Sequence, residues 1–233
     1  THIHNQADIT AVYQHGIIPQ HMSEPTVYSV KENGALRDML IHPKVDGPCN
    51  YGLNMYVTNR PLLIELIEDC VSRNMYNFNR DFIQRNMFQY RFYCYEFKGY
   101  SKVICSTQDY FQANMDLLNP DVKTQLFQPD KPIYTKVRDD MPARYGLGSN
   151  VNQSLIADGC VIEGEVQNSI LFRGVKIAKG AKLKNCVIMQ DTCVGTDCNL
   201  QNVITDKDVM IQDGRSFMGT DTYPVFISKG SIV

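Results

Sequence analysis

Apolar positions along this chain follow two rhythms. In the first half, stretches of period two mix with stretches near 3.6. Ile9, Ala11 and Tyr13 alternate with Asp8, Thr10 and Val12, which predicts a mostly buried strand. "TVYSVKENGALRDMLI" reads as two strands around Asn33-Gly34, a favoured hairpin turn because both residues accept φ > 0. "GLNMYV" at 52–57 predicts a short buried strand. "TNRPLLIELIEDCVSR" predicts a helix capped by Thr58 or Asn59. Pro61 lies in its first turn, where a missing N–H costs nothing. Leu63, Leu66, Ile67, Cys70 and Val71 form its expected buried stripe. "YRFYCYEF" at 90–97 predicts an aromatic strand. Lys102-Val103-Ile104 predicts a further strand that turns at Cys105 into a helix. Ser106 and Asp109 have the layout of a capping box at its start. Tyr110, Asn114 and Leu117 share one face of this helix, with Phe111 and Leu118 beside them.

Residues 119–145 break the pattern. Pro120, Pro129, Pro132 and Pro142 punctuate a polar stretch, read as a linker with one strand at "IYTKV". From 146 onward the chain repeats itself. Val166, Leu183 and Leu200 each open a triplet ending in Asn, 17 residues apart (183 − 166 = 200 − 183 = 17). Ile177, Val194 and Ile211 keep the same step, and Val151 begins a shorter earlier copy. Aliphatics recur about every six positions, with Gly159, Gly164, Gly174, Gly180, Gly195 and Gly214 between them. A fixed period built of hexads predicts a triangular solenoid with stacked inward aliphatics and Gly, Asn and Asp at the corners. No single coil buries its inward face alone.

The bulk numbers narrow the classes. A chain of 233 residues with 43% hydrophobic content supports one or two domains. Net charge is −2, with no basic stripe, so nucleic acid is not an expected partner. No apolar run reaches the roughly 18 residues of a membrane helix, and the N-terminus shows no signal-peptide pattern. The start at Thr1, straight into a strand-like stretch, suggests a piece of a longer protein. Eight cysteines are scattered without a Cys-x-x-Cys pair, so reduced thiols in a cytoplasmic protein are expected and a zinc site is not. His2 and His4 lack a third ligand nearby, and Cys186, Cys193 and Cys198 read as small residues in or near the solenoid core.

A hexapeptide solenoid behind a Pro-rich linker and an α/β segment resembles the C-terminal two-thirds of a bacterial ADP-glucose pyrophosphorylase (glucose-1-phosphate adenylyltransferase). The stretches that carry it are "YGLNMYV", "STQDYFQANMDLL", "KPIYTKVRDDMPARY" and "SLIADGCVIEGEVQNSILFRGVKIAKGAKL". The resemblance implies a Rossmann-like nucleotidyltransferase domain lacking its N-terminal part at 1–118, a linker at 119–145 and a left-handed parallel β-helix at 146–233. It implies the reaction of ATP with glucose 1-phosphate to give ADP-glucose and pyrophosphate, with Mg²⁺ as the family's metal.

Two family motifs depart from the pattern. Where catalytic members carry Glu-Lys-Pro, with the lysine on the sugar phosphate, this chain has Ile41, His42 and Pro43. An imidazole is shorter than a lysine and a poor substitute for a fixed ammonium. Where they carry Arg-Asp-Val-Gly-Thr, with the aspartate on Mg²⁺, this chain has Lys102, Val103, Ile104, Cys105 and Ser106. Valine offers no oxygen to a cation that demands six. The catalytic positions His42 and Val103 are thus expected to be degenerate, with Ile41, His42, Asn50 and Lys102 as remnants of the sugar-phosphate pocket. The pattern resembles the regulatory GlgD-type subunit of glycogen biosynthesis. Such subunits assemble with a catalytic sister chain into heterotetramers. A phosphorylated-metabolite effector is a possible partner. Gly148 and Ser149, in "YGLGSN", are candidate effector contacts. Lys102, Lys176, Lys179 and Lys182 are candidates too, although solvated lysines are the commoner case.

Two other functions compete. A hexapeptide acyltransferase needs a histidine base near the coils, and no histidine lies beyond position 42. An active nucleotidyltransferase with non-standard residues would need Asp38 or Asp109 to rescue the metal, and Asp109 is placed to serve its helix N-terminus.

Overall fold

In the computed structural model, residues 1–135, 137 and 139–233 are described. The chain divides into two compact units, Thr1–Gly99 and Tyr100–Val233.

The first unit is a five-stranded sheet with one long helix. The strands are β1 (Ile9–Gly16), β2 (Thr26–Val30), β3 (Leu36–Ile41), β4 (Cys49–Thr58) and β5 (Phe92–Glu96), in the order β3-β2-β4-β1-β5. β1 is antiparallel to β4 and parallel to β5. Ile9, Thr10 and Ala11 are all buried: Ile9 and Ala11 pack into the core, and Thr10, on the other face, lies with its Oγ1 2.7 Å from His2 Nδ1. The β2–β3 hairpin forms at Asn33-Gly34, but only Gly34 takes positive φ. Gly34 N–H returns to the Lys31 carbonyl at 2.9 Å, so the loop is one residue longer than the two-residue turn expected.

β4 is longer than predicted and is not buried throughout, since Met55 and Val57 are exposed. Its register against β1 slips between Val12 and Tyr13, where Leu53 and Asn54 bulge out and Asn54 takes φ 55°. α1 (Arg60–Ser72) is capped by Asn59, whose side chain accepts from Leu62 N–H at 2.9 Å. Its buried line is Leu62, Leu66 and Cys70, a strict i, i+4, i+8 row. Ile67 and Val71 of the expected stripe are 45% and 61% exposed, because the sheet meets the row one position earlier. A π-helical turn, Phe78–Gln84, buries Phe82 and Ile83 against the same core.

The second unit is a parallel β-solenoid of three five-stranded sheets. The ladder Val151–Val166–Leu183–Leu200–Phe217 runs down one sheet. Ile162–Ile177–Val194–Ile211 runs down the second, and its last three members keep the 17-residue step of the alignment. The third sheet stacks Ile156, Leu171, Ile188, Thr205 and Ile227 inward. Asn168, Asn185, Asn202, Asp191, Asp197 and Asp208 hold positive φ at the corners, where Gly is otherwise used. Cys160, Cys186 and Cys198 are buried in the stack, while Cys193 is partly exposed.

The third sheet is apolar on its outer side too. Val187 and Ile204 point outward and are fully buried, because α2 (Thr107–Asp116) lays Phe111 on them, with Tyr110 and Met115 alongside. Compactness therefore divides the chain at Gly99, while the sequence rhythm changes at 119 and again at 146. Lys102-Val103-Ile104 does not form the predicted strand. Among the described residues it pairs with no neighbour, and Ile104 is exposed. The linker contains a helix, α3 (Pro120–Leu126), with Asn119 as cap and Pro120 at its first position. Pro120 there starts structure rather than ending it. The strand expected at 133–137 falls partly outside the described residues, and the described part is not strand. The first solenoid strand, Arg144–Tyr145, already lies within the expected linker.

Candidate functional site

In the first unit, β2 lies between the two segments that hold the candidate pocket residues. Thr26 pairs with Ile41 on one side, and Val27 pairs with Tyr51, next to Asn50, on the other. His42 follows β3 in a left-handed conformation, φ 53°, anchored by its N–H to the Pro25 carbonyl at 2.9 Å. Its Nε2 stands 3.9 Å from Glu24 Oε1, both side chains about half exposed. The group facing His42 is therefore a carboxylate. Asn50 is engaged as well: its Oδ1 lies 2.8 Å from His15 Nδ1, and its Nδ2 donates to the Tyr28 carbonyl.

A second feature of this unit was not foreseen. Asn54, Tyr56, Thr58, Leu63, Ile67, Phe78 and Asn79 line a cleft of about 530 Å³. Tyr56 donates to Asn79 Oδ1 at 2.7 Å, Asn79 Nδ2 reaches Asn54 Oδ1 at 3.3 Å, and Tyr56 OH meets Tyr28 OH at 3.0 Å. Burial pushes the phenols of Tyr28 and Tyr56 well up, so both stay neutral hydrogen-bonding groups. Phe78 stacks on Phe82, 4.5 Å between ring centres, and tilts against Tyr56. Amides and hydroxyls beside an aromatic ring suit a neutral, polyhydroxylated ligand. No charged side chain lines the cleft, so it does not suit a bare phosphate. The bulge at Asn54 and the π-helical turn at Asn79 build it, and neither leaves a periodic signal in sequence.

In the second unit, Val103 precedes α2. Ser106 Oγ accepts from Asp109 N–H at 3.0 Å, the predicted N-cap, and donates to Asp109 Oδ2 at 2.7 Å, so the carboxylate returns to the cap hydroxyl and not to the Ser106 N–H of a full capping box. Asp109 Oδ2 also accepts from Cys105 N–H at 3.3 Å. In the first unit, Asp38 accepts from Met39 N–H. This donor set does not fit Mg²⁺. Val103 brings no oxygen, Asp109 is committed to the cap, and no cluster of three acidic, His or Cys ligands exists among the described residues. Lys102 is not free either, its Nζ lying 3.5 Å from Asp116 Oδ2. Gly148 and Ser149 form the corner between the first two solenoid strands. There Ser149 Oγ donates to the Gly146 carbonyl at 2.8 Å. Lys182 pairs with Glu165 across two coils.

The fold defines the class: a hexapeptide-repeat β-helix protein carrying a nucleotidyltransferase-like α/β unit. A family model described as GlmU-like, C-terminal hexapeptide, matches residues 139–223. Glycogen biosynthesis protein GlgD of Bacillus subtilis (strain 168) is 43% identical over 180 residues, 77% of this chain and 52% of that protein. GlgD of Geobacillus stearothermophilus is 61% identical over 69 residues, 30% of this chain and 20% of that one. Glucose-1-phosphate adenylyltransferase of Acetivibrio thermocellus is 28% identical over 217 residues, 90% of this chain and 50% of that enzyme. The chain spans about half the length, or less, of these relatives. Its resemblance is to the bacterial ADP-glucose pyrophosphorylase family, and the GlgD proteins are among the relatives it is similar to. No helix among the described residues is long and apolar enough to cross a membrane.

Proposed function

We propose that this chain is part of a regulatory, catalytically degenerate subunit of glucose-1-phosphate adenylyltransferase in glycogen biosynthesis. The observation that carries this reading is Val103. It stands where the family's metal-binding aspartate is expected, and the nearest acidic residue along the chain, Asp109, is used up in a helix cap. Without Mg²⁺ oxygens there, charge developing on the transferred phosphoryl group lacks its main stabiliser. His42 supports the same reading, since it faces Glu24 rather than open space for a phosphate. The partner is a catalytic sister subunit in a heterotetramer, for which flat, rigid solenoid faces offer assembly surfaces. A phosphorylated metabolite is the proposed effector, and the protein is proposed to be cytoplasmic.

The test is reversion in the full-length protein. His42→Lys with Val103→Asp is expected to raise ADP-glucose synthesis at least tenfold above a background near zero, with dependence on Mg²⁺. An unmodified protein that already turns over at the rate of the catalytic relatives would end this reading.

A further inference from the structure

The last coil of the solenoid carries an insertion. Leu200 pairs with Phe217 at the 17-residue step, but Val203 pairs with Val225, 22 residues on, so five residues (22 − 17 = 5), 220–224, are extra. They leave at a corner. Asn168, Asn185 and Asn202 form the column of that corner, each with a left-handed backbone. Gly219 is the next member of the column and does not hold that conformation; here the chain runs out into a loop in place of the turn. Extra residues in one repeat of a solenoid emerge as a loop on one face.

The loop is built as a small hairpin. Thr220 N–H donates to the Tyr223 carbonyl at 3.0 Å, and Tyr223 N–H donates to the Thr220 carbonyl at 3.1 Å. Tyr223 N–H also reaches Thr220 Oγ1 at 3.1 Å, while its ring is exposed. One residue of the preceding coil grips the base of the loop. Asn202, almost fully buried, donates from Nδ2 to the Gly219 carbonyl at 3.1 Å, and its own carbonyl accepts from Val225 N–H at 3.0 Å. The first contact holds the chain where it leaves the coil, and the second where it returns. Gly219 is pressed against both: a Cβ there would lie 2.5 Å from the Asn202 carbonyl oxygen and 2.7 Å from Val225 N. The Asn202 Oδ1 is buried with no partner among the described residues, unlike Asn185 Oδ1, which accepts from Asn168. An unpaired buried acceptor costs free energy, and the bond to Gly219 is the contact that offsets it.

We propose that Asn202 is a staple across the base of this insertion. It keeps the coil below in register, while residues 220–224 stand as a preformed hairpin that the solenoid itself does not need. The geometry lies within the second unit and does not depend on the functional reading above.

Amide hydrogen exchange on the full-length protein tests this, since Thr220, Tyr223 and Val225 each donate a backbone hydrogen bond that can be followed. Asn202→Gly keeps the left-handed backbone and removes only the side-chain arm. The three amides are expected to exchange at least about fivefold faster, the size of one hydrogen bond. Asn185→Gly makes the same change one coil earlier and is expected to leave them as protected as in the parent. Unchanged exchange in Asn202→Gly, or an equal rise in both variants, overturns the proposal. Deletion of residues 220–224 tests the other half. It joins Gly219 to Val225 at the 17-residue step, and a glycine can take the left-handed turn. The strands between 161 and 211 are expected to stay as protected as in the parent, and loss of their protection contradicts the proposal. If Asn202→Gly loosens those strands too, the same change in the shortened chain decides. There it is expected to cost no more protection than Asn185→Gly, and a larger loss overturns the staple.

Discussion

Asn168 and Asn185 occupy the same corner of successive coils, 17 residues apart, and Asn168 Nδ2 donates to Asn185 Oδ1 at 2.8 Å. Both hold a left-handed backbone, at φ 47° and 52°. The pair therefore does two things at once: it tolerates the turn and ties one coil to the next. Asn185→Ala removes the amide and keeps a Cβ in a region that costs roughly 1–2 kcal/mol for ordinary residues. We expect a loss of about 1.5–3 kcal/mol when the hydrogen bond is included. Asn185→Gly relieves the backbone cost and should lose only the bond. Chemical denaturation of the two variants separates the terms, and equal losses would show that the backbone conformation carries no cost here.

Phe111 belongs in the same ledger, because it seals an apolar sheet face. Its ring covers Val187 and Ile204, which are almost fully buried although they point away from the solenoid core. Phe111→Ala should destabilise the second unit by roughly 3–5 kcal/mol. A fragment of residues 146–233, which lacks α2 altogether, should expose this face and self-associate. A fragment of residues 100–233 should remain dispersed. Light scattering on the two fragments checks this, and a monodisperse 146–233 fragment would contradict it.

Thiol reactivity reports on the packing directly. Cys105 is exposed, Cys49 and Cys193 are partly covered, and Cys70, Cys94, Cys160, Cys186 and Cys198 are buried. An aromatic disulfide reagent should label one thiol fast, two slowly, and five only on unfolding. Burial pushes the thiols of Cys94 and Cys186 up to about 12. An unfolded thiol ionises near ~8.5. The folded state therefore keeps protons that the unfolded state gives up. The corresponding stability is complete below that value and is lost as pH rises towards 12. Replacing Cys186 by Ala should flatten the stability profile across that window, and an unchanged slope would mean that the thiol is not the titrating group.

Much of the solenoid is legible from spacing because each coil repeats the same physical problem. Val166, Leu183 and Leu200 align in sequence and stack in space for one reason, the need of every inward face for a neighbour. The α/β unit is less legible. Ile67 and Val71 satisfy the helical period as well as Leu62 does, and only the position of the sheet decides which row is buried. Lys102-Val103-Ile104 has strand composition but pairs with no strand among the described residues, and tertiary context overrides propensity there. Of the site, His42, Val103 and the cap at Ser106–Asp109 were visible as residues out of pattern or in pattern. The cleft at Asn54, Tyr56 and Asn79 was not. It depends on a bulge, a π-helical turn and a chain of side-chain hydrogen bonds, all set by three-dimensional packing.

The proposed function holds that the chemistry is missing from this chain and that its role is exerted through a catalytic partner. ADP-glucose synthesis by the full-length protein, first alone and then mixed with the proposed catalytic sister subunit, tests this. The account predicts negligible synthesis alone and a clear rise over the sister's own rate on mixing. Robust synthesis by the protein alone would contradict it, and would require other residues to take over from the lysine and aspartate replaced by His42 and Val103.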